Sequence, residues 1–323
     1  MQLFQKCEAE SAKIQLQEFE KKRRPAHLGE VLQFDGVDGY DVYNPSIPFE
    51  LDGRVIMAGR VENRSNEVSK TMFFEEKNGR WSLIPNAPVL DLQDPFVTFI
   101  NGELWLGGVY VVWDGDRCVE YSTHFYRGTS IFQLKFAFAG PKMMKDIRLL
   151  ELPDKKIAVF SRPQGEPMLK KYGCVAKIGF AIADTIEQIN AEFIDAAPLL
   201  EGQFIPEEWG GCNQLYNLKN GLIGVIGHKS WGETVDDVFV IHYYSMAFAL
   251  DPKTRACTQT KIIAVRDCYP KGPQKNARTA DVTFTSGIIR LGGGKARLYA
   301  GLNDCETGTV LIEDPLDEYE TLA

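Results

Sequence analysis

Asp94 stands directly before Pro95, at the head of a strand-like run from Phe96 to Ile100. An acid held at the mouth of a channel and partly desolvated can keep its proton near neutral pH and deliver it to a leaving oxygen. Pro95, which cannot donate to a ladder, biases Asp94 toward an extended backbone. Cations recur at comparable places. Arg60 ends VIMAGRVE, Arg162 ends IAVFSRP and His228 ends LIGVIGHKSW, while Lys145 precedes Asp146 and Arg127 sits in HFYRGTS. A cation at the end of an inner strand is destabilising unless it is paired or binds an anion. Several around one axis would hold a phosphate-sized group. Taken singly, each is an ordinary salt-bridge partner, and Asp94 and Asn44 are turn residues before a proline; the set carries the reading.

Those side chains can meet only if distant segments are folded alike, and one outline does recur: polar residue, strand, tight turn, returning strand. It runs from Asp94 through Asn101-Gly102, from Asn44 through Asp52-Gly53 and from Asp146 through Asp154-Lys155. It appears again from Asn213 through Asn220-Gly221, and from Asp281 through Gly292-Gly293-Gly294. Asn-Gly between β-rich runs is a strong hairpin signal, because both residues tolerate the positive φ of a type I′ turn. Five strand-dense copies, each with room for four strands, predict an all-β fold: a five-bladed β-propeller with an N-terminal helix. A β-sandwich with coincidental hairpins is the alternative. Residues 1–29 form the helical extension, with Phe4, Ile14, Leu16 and Phe19 as its apolar stripe, and residues 30–323 form one catalytic domain. ADTIEQINAEF, residues 183–193, predicts a short helix. In a propeller the heads of the inner strands open on one face, so Asn44, Asp94, Asp146, Asn213 and Asp281 would converge. The pair Asn303-Asp304 follows another apolar strand. Carboxylates and amides around a pocket suit a polyhydroxylated ligand.

Composition narrows the classes. A net charge of −8 over 323 residues argues against a broad nucleic-acid footprint, which needs a basic face. Seven scattered cysteines without CxxC fit reduced thiols. No apolar run approaches a membrane span and no signal peptide is visible, so the chain reads as cytoplasmic. Four histidines show no metal spacing, the triple glycine lacks a P-loop lysine, and no G-x-S-x-G occurs. Trp105, Trp113, Trp209 and Trp231 read mostly as core, with Trp209 also suited to stack on a sugar ring.

At these residues the sequence resembles the β-mannoside phosphorylases of glycoside hydrolase family 130. NPSIPFELDGRVIMAGRVE is similar to their opening blade, and QDPFVTFINGELWL to the segment with their catalytic aspartate. KDIRLLELPDKKIAVFSRP is similar to a Lys-Asp strand pair ending in Arg-Pro, GLIGVIGHKSW to the strand ending in their phosphate-binding histidine, and SGIIRLGGGKARLYAGLND to their last blade. The match runs in order over most of residues 44 to 305. Phe96 after Asp94-Pro95, where family 130 usually has arginine, and HFYRG look closer to the related glycosyltransferase family 108, the β-1,2-mannan phosphorylases and mannosyltransferases.

The resemblance implies Asp94 as proton donor to the glycosidic oxygen. Phosphate would attack the anomeric carbon from the opposite face with inversion, releasing α-mannose 1-phosphate. Arg127, Lys145, Arg162 and His228 would bind phosphate, and Asn44, Arg60, Asp146, Asn213 and Asp304 would hold sugar. The implied partners are a manno-oligosaccharide, phosphate or mannose 1-phosphate, with GDP-mannose as a further donor. No cofactor is called for, since inorganic phosphate is a co-substrate, and no metal, nucleic acid or membrane. The N-terminal helix is also suited to a homo-oligomer contact. Two other readings stay open: a propeller hydrolase with a second carboxylate to activate water, and a non-catalytic carbohydrate-binding propeller.

Overall fold

The five expected hairpins are present in a computed structural model that describes residues 2–6 and 8–322; Cys7 lies outside the described residues. Ile100 pairs with Glu103, which leaves Asn101-Gly102 as a two-residue loop with φ of 53° and 78°. Asp52-Gly53 closes Phe49–Leu51 onto Arg54–Glu62 in the same way, with φ of 53° and 72°. Both residues of each loop are left-handed, as a type I′ turn requires. Among the described cysteines, Cys118 is an exposed thiol, and Cys174, Cys212, Cys268 and Cys305 are buried thiols.

The strands gather into antiparallel sets in chain order. Asp41–Tyr43 and Phe49–Leu51 both pair with one edge of Arg54–Glu62, whose other edge carries Ser69–Lys77 and then Arg80–Leu83. Gln93–Ile100, Glu103–Asp114, Arg117–Gly128 and Lys135–Ala139 form the next sheet, and Arg148–Glu151, Ile157–Ser161 and Gly179–Ala183 the third. Trp209–Asn217, Ile223–Val235, Val238–Leu250 and Lys261–Ala264 are followed by Asp281–Gly292, Lys295–Leu302 and Glu306–Glu313. These last two sets join through one parallel contact, His242 with Asp281 and Tyr243 with Val282. The early strand Glu30–Val31 pairs with Glu306–Glu313, so the two ends of the strand-rich region meet.

Leading strands of successive sets lie side by side. Gln93–Ile100 touches Arg54–Glu62 on one side and Arg148–Glu151 on the other; Arg148–Glu151 touches Trp209–Asn217, which touches Asp281–Gly292. Asp41–Tyr43 contacts both Lys295–Leu302 and Glu306–Glu313, which brings the series back to its start. Apolar residues of neighbouring sets interlock between the sheets. Phe96, Trp105 and Phe125 pack with Ile147, Leu149, Ile157 and Val159, and Phe160 and Phe180 pack with Cys212, Leu215, Val225 and Phe248.

Helix Ala12–Lys22 begins where the Ser11 side chain accepts from the Ile14 amide, and it buries Ala12, Gln15 and Phe19. That register differs from the expected stripe: Ile14 is half exposed, and Phe4 precedes the helix and bridges Cys257. The cap at Ser11 fixes which face turns inward. The 183–193 stretch contains a 3-10 turn, Ile186–Gln188, and a short helix, Ala191–Asp195, that starts where Asn190 caps the Phe193 amide. No described helix is long and apolar enough to cross a membrane.

Candidate active site

Left-handed backbone marks the site. Asn44, Asp94, Asp146 and Asp304 have φ of 44°, 50°, 59° and 54°. This corrects the expectation that Pro95 holds Asp94 extended. The ladder shifts register between Gln93 and Phe96, and the resulting bulge lifts Asp94 out of the pleat. A second shift, between Cys212 and Gln214, does the same at Asn213. Bulges re-aim a side chain without ending the strand, and here they turn two polar residues toward one place.

The first half of the site surrounds Asp94, which is 7% exposed. Its Oδ1 accepts from Asn44 Nδ2 at 2.9 Å and from Arg60 Nη1 at 3.0 Å. Arg60 also donates to Glu62 at 2.6 Å and Glu67 at 3.2 Å. Lys275 completes the network on Glu62 and, at 2.7 Å, on Glu67. Gly301 makes room for it, since a Cβ there would land on Asn44 Oδ1. Burial pushes the Asp304 carboxyl up to about 6; Arg60 opposes this, and the negative charges of Asp94 and Glu67 add to it.

The second half holds the cations. Arg162 Nη2 pairs with Asp146 Oδ2 at 2.9 Å, both almost fully buried. His228 Nδ1 lies 2.7 Å from Asn213 Oδ1, its Nε2 lies 3.7 Å from Asp146, and its ring stacks on Tyr243. Burial, reinforced by Arg162, Lys145 and Arg148, pushes His228 down to about 3 against the pull of Asp146, so the imidazole is neutral at pH 7. Burial alone would raise Asp146; Arg162, His228, Arg148 and Lys145 outweigh it and hold that carboxylate below the usual range. Lys145 is partly buried and makes no ion pair with any described carboxylate. Arg162 Nε and Asn44 Oδ1 are buried without a hydrogen-bond partner, which leaves each free to meet a bound group.

Arg148 connects the halves. Its Nε donates to the Asn213 carbonyl at 2.7 Å, and its guanidinium lies 3.7 Å from the centre of the Phe96 ring. Burial lowers it to about 10, while both Asp146 and Asp94 favour its charge. A cavity of about 470 Å3 lies beside them, lined by Lys145, Arg162, Gln164, Tyr121, Trp209 and Tyr243, by Gln93, the neighbour of Asp94, and by Glu67, Val111 and Trp113. A separate cavity of about 430 Å3 beneath the N-terminal helix contains none of the expected site residues.

Of the expected residues, Asn44, Arg60, Asp94, Lys145, Asp146, Arg162, Asn213, His228 and Asp304 come together. Arg127 does not. It lies six residues beyond Tyr121 on its strand, roughly 20 Å from the cavity wall at ~3.3 Å per residue. There it faces Glu103 at 3.8 Å and stands over Trp105. Asp281 also turns elsewhere, with His242 Nδ1 at 2.6 Å and the Tyr244 hydroxyl at 3.0 Å. Trp105 is core as expected, but Trp113 lines the cavity. Arg148, Glu62, Glu67, Lys275 and Tyr243 were not anticipated. Arg148 opens its strand two residues after Asp146 in KDIRLL, and the left-handed backbone at Asp146 breaks the alternation that would have placed the two on one face.

Comparison with known proteins gives a family and a set of similar structures. Residues 17–318 match the family described as "Protein of unknown function (DUF1861)". No curated protein sequence matches the chain. Among solved structures, the mannose phosphorylase MPT-4 of Leishmania mexicana, in complex with phosphate ion, is 38% identical, with 96% of this chain and 95% of that one covered and a TM-score of 0.88. The GDP-Man-dependent mannosyltransferase MPT-1 of the same organism is 34% identical, with 97% of each chain covered and a TM-score of 0.87. The β-1,2-mannobiose phosphorylase of Listeria innocua, 15% identical over 88% of this chain and 93% of that one with a TM-score of 0.62, shares the fold. The chain belongs to the DUF1861 family, and with it to the group of mannoside phosphorylases and mannosyltransferases that its motifs resemble.

Proposed function

We propose that this enzyme transfers mannose reversibly between β-1,2-linked manno-oligosaccharides and inorganic phosphate, with inversion at the anomeric carbon and α-mannose 1-phosphate as the phosphorylated partner. We read the fold as a single five-bladed β-propeller, residues 30–323. The leading strands that follow one another back to their start, with Glu30–Val31 pairing onto Glu306–Glu313, support that reading. One observation carries the chemistry: Asp94, held by Asn44 and Arg60, and the Asp146–Arg162 pair both act on Arg148 between them, beside a cavity lined by Lys145, Arg162 and Gln93, the neighbour of Asp94.

In this reading phosphate sits among Lys145, Arg162 and neutral His228. Lys145, Arg148 and Arg162 against Asp146 leave a net charge of +2, which suits inorganic phosphate, a mixture of monoanion and dianion at neutral pH. Phosphorolysis forms a bond from a phosphate oxygen to C1 and breaks the bond from C1 to the glycosidic oxygen. Asp94 enters this step protonated on Oδ2, the oxygen not engaged by Asn44 and Arg60, hands that proton to the leaving oxygen and is left as the carboxylate paired with Arg60. In synthesis the acceptor hydroxyl returns a proton to Asp94 as phosphate leaves. Phosphate arrives as an anion, so no second carboxylate is needed as base, unlike inverting hydrolysis. Asn44, Arg60, Asp146, Asn213 and Asp304 hold the sugar.

The test is phosphorus NMR of the protein with β-1,2-mannobiose and phosphate, and of the reverse reaction with mannose 1-phosphate and mannose. The expected products are α-mannose 1-phosphate forward and free phosphate in reverse, both lost in Asp94→Asn. Sugar release that ignores phosphate would favour a hydrolase. No turnover in either direction would refute both enzyme readings.

A further inference from the structure

Three cavities meet at one side chain. The site cavity of about 470 Å3, a neighbour of about 480 Å3 and a third of about 330 Å3 all include Trp113 in their walls. The first two also share Glu67 and Asp116. Trp113 lies near the tip of the long hairpin formed by Glu103–Asp114 and Arg117–Gly128, on the face that Val109 and Val111 also present to the site cavity. Val109 pairs with Gln93, the neighbour of Asp94. Trp113 is four residues farther along, roughly 13 Å from that level at ~3.3 Å per residue. That distance exceeds one pyranose ring and is within the reach of the second or third.

Apart from Trp113 and Val68, polar side chains line the neighbouring cavity. Arg64, Glu67, Asp116, Lys275 and Asn276 line it, and Lys275 and Glu67 are paired at 2.7 Å. The Gln93 side chain donates to the Glu67 carbonyl at 2.9 Å, which ties the 64–68 loop to the strand of Asp94. An aromatic face beside donors and acceptors suits a hexose, with apolar C–H bonds on one ring face and hydroxyls around its edge. A site of this volume holds more than the single sugar next to Asp94. We propose that the hairpin tip and the 64–68 loop form a distal saccharide subsite. Trp113 is its stacking platform, and it takes the second and third residues of an oligosaccharide acceptor. Its role as an acceptor subsite rests on the mannosyl-transfer reading; its capacity to bind saccharide does not.

The experiment uses mannose 1-phosphate with mannose, β-1,2-mannobiose and the corresponding trisaccharide as acceptors, on the wild type, Trp113→Ala and Trp113→Phe. In Trp113→Ala, KM for the trisaccharide rises about tenfold, the loss of one aromatic contact. Its kcat, and KM for mannose, stay within about twofold, and Trp113→Phe keeps most of the preference for the longer acceptor. Equal impairment for all three acceptors, or none for any, overturns the subsite. If the wild type transfers nothing, the parent reading fails, and calorimetric titration with the trisaccharide still decides the subsite. Weaker binding by Trp113→Ala than by the wild type supports it, and equal binding, or none by either, refutes it.

Discussion

Asp304→Asn should stabilise this protein at alkaline pH while impairing it as an enzyme. The Asp304 carboxyl is partly buried beside Asp94 and Glu67, and desolvation raises it from 3.8 to about 6 despite Arg60 and Lys275. A raised value in the folded state means that folding favours the protonated form. The stabilisation is complete below the unfolded value near 3.8 and is lost as pH rises through about 6. Above that, the ionised carboxylate weighs against the fold by up to about 3 kcal/mol at ~1.4 kcal/mol per pKa unit. Partial solvent screening leaves about 1–3 kcal/mol. Asparagine copies the protonated shape and cannot ionise. Scanning fluorimetry of both proteins from pH 4 to pH 8 should show melting temperatures that agree near pH 4. They should separate through pH 6, with the variant higher by roughly 2–6 °C at pH 8. Transfer activity should fall at least ~10-fold, because a charge kept at the expense of stability belongs to function. A constant difference across the pH range, or a variant less stable at pH 8, would refute this account of Asp304.

Three further outcomes follow from the contacts. Gly301→Ala drives a methyl group into Asn44, so it should lower stability by about 1–3 kcal/mol and reduce kcat with Asn44 displaced from Asp94, measured by denaturant melts and initial rates. Arg127→Ala, on the far end of its strand, should leave phosphate KM and kcat within about twofold, since an exposed ion pair contributes little; a larger loss would return Arg127 to the site. Lys145→Met removes the unpaired cation and should raise phosphate KM about 10–100-fold, as a charge-assisted contact of ~1.5–3 kcal/mol implies. A hydrolase would be indifferent to that change.

Much of the fold was legible because the turns are chemically explicit. Asn101-Gly102 and Asp52-Gly53 declare left-handed loops, and the apolar runs beside them declare strands buried on both faces. The site was legible where a polar residue heads such a strand. It failed where strand length decides position. Arg127 has the same local sequence character as Arg162, but its strand runs twelve residues, and the cavity lies at the other end. Trp113 was read as core for the same reason, since the overhang of the hairpin is a tertiary fact. Lys275 sits in PKGPQKNARTA, which has no periodicity to place it, and its meeting with Glu62 joins positions 213 residues apart. Asp94 itself was found for its company rather than its backbone. Its bulge depends on how Gln93 and Phe96 pair across the sheet, and local preference before proline points the other way.

The most direct measurement is a crystal structure with phosphate and a β-1,2-linked mannoside bound. Phosphate is expected among Lys145, Arg162 and His228, with the anomeric carbon between it and Asp94 and the glycosidic oxygen on the Asp94 side. Phosphate bound elsewhere, or on the same face of the sugar as Asp94, would contradict inverting transfer at this site.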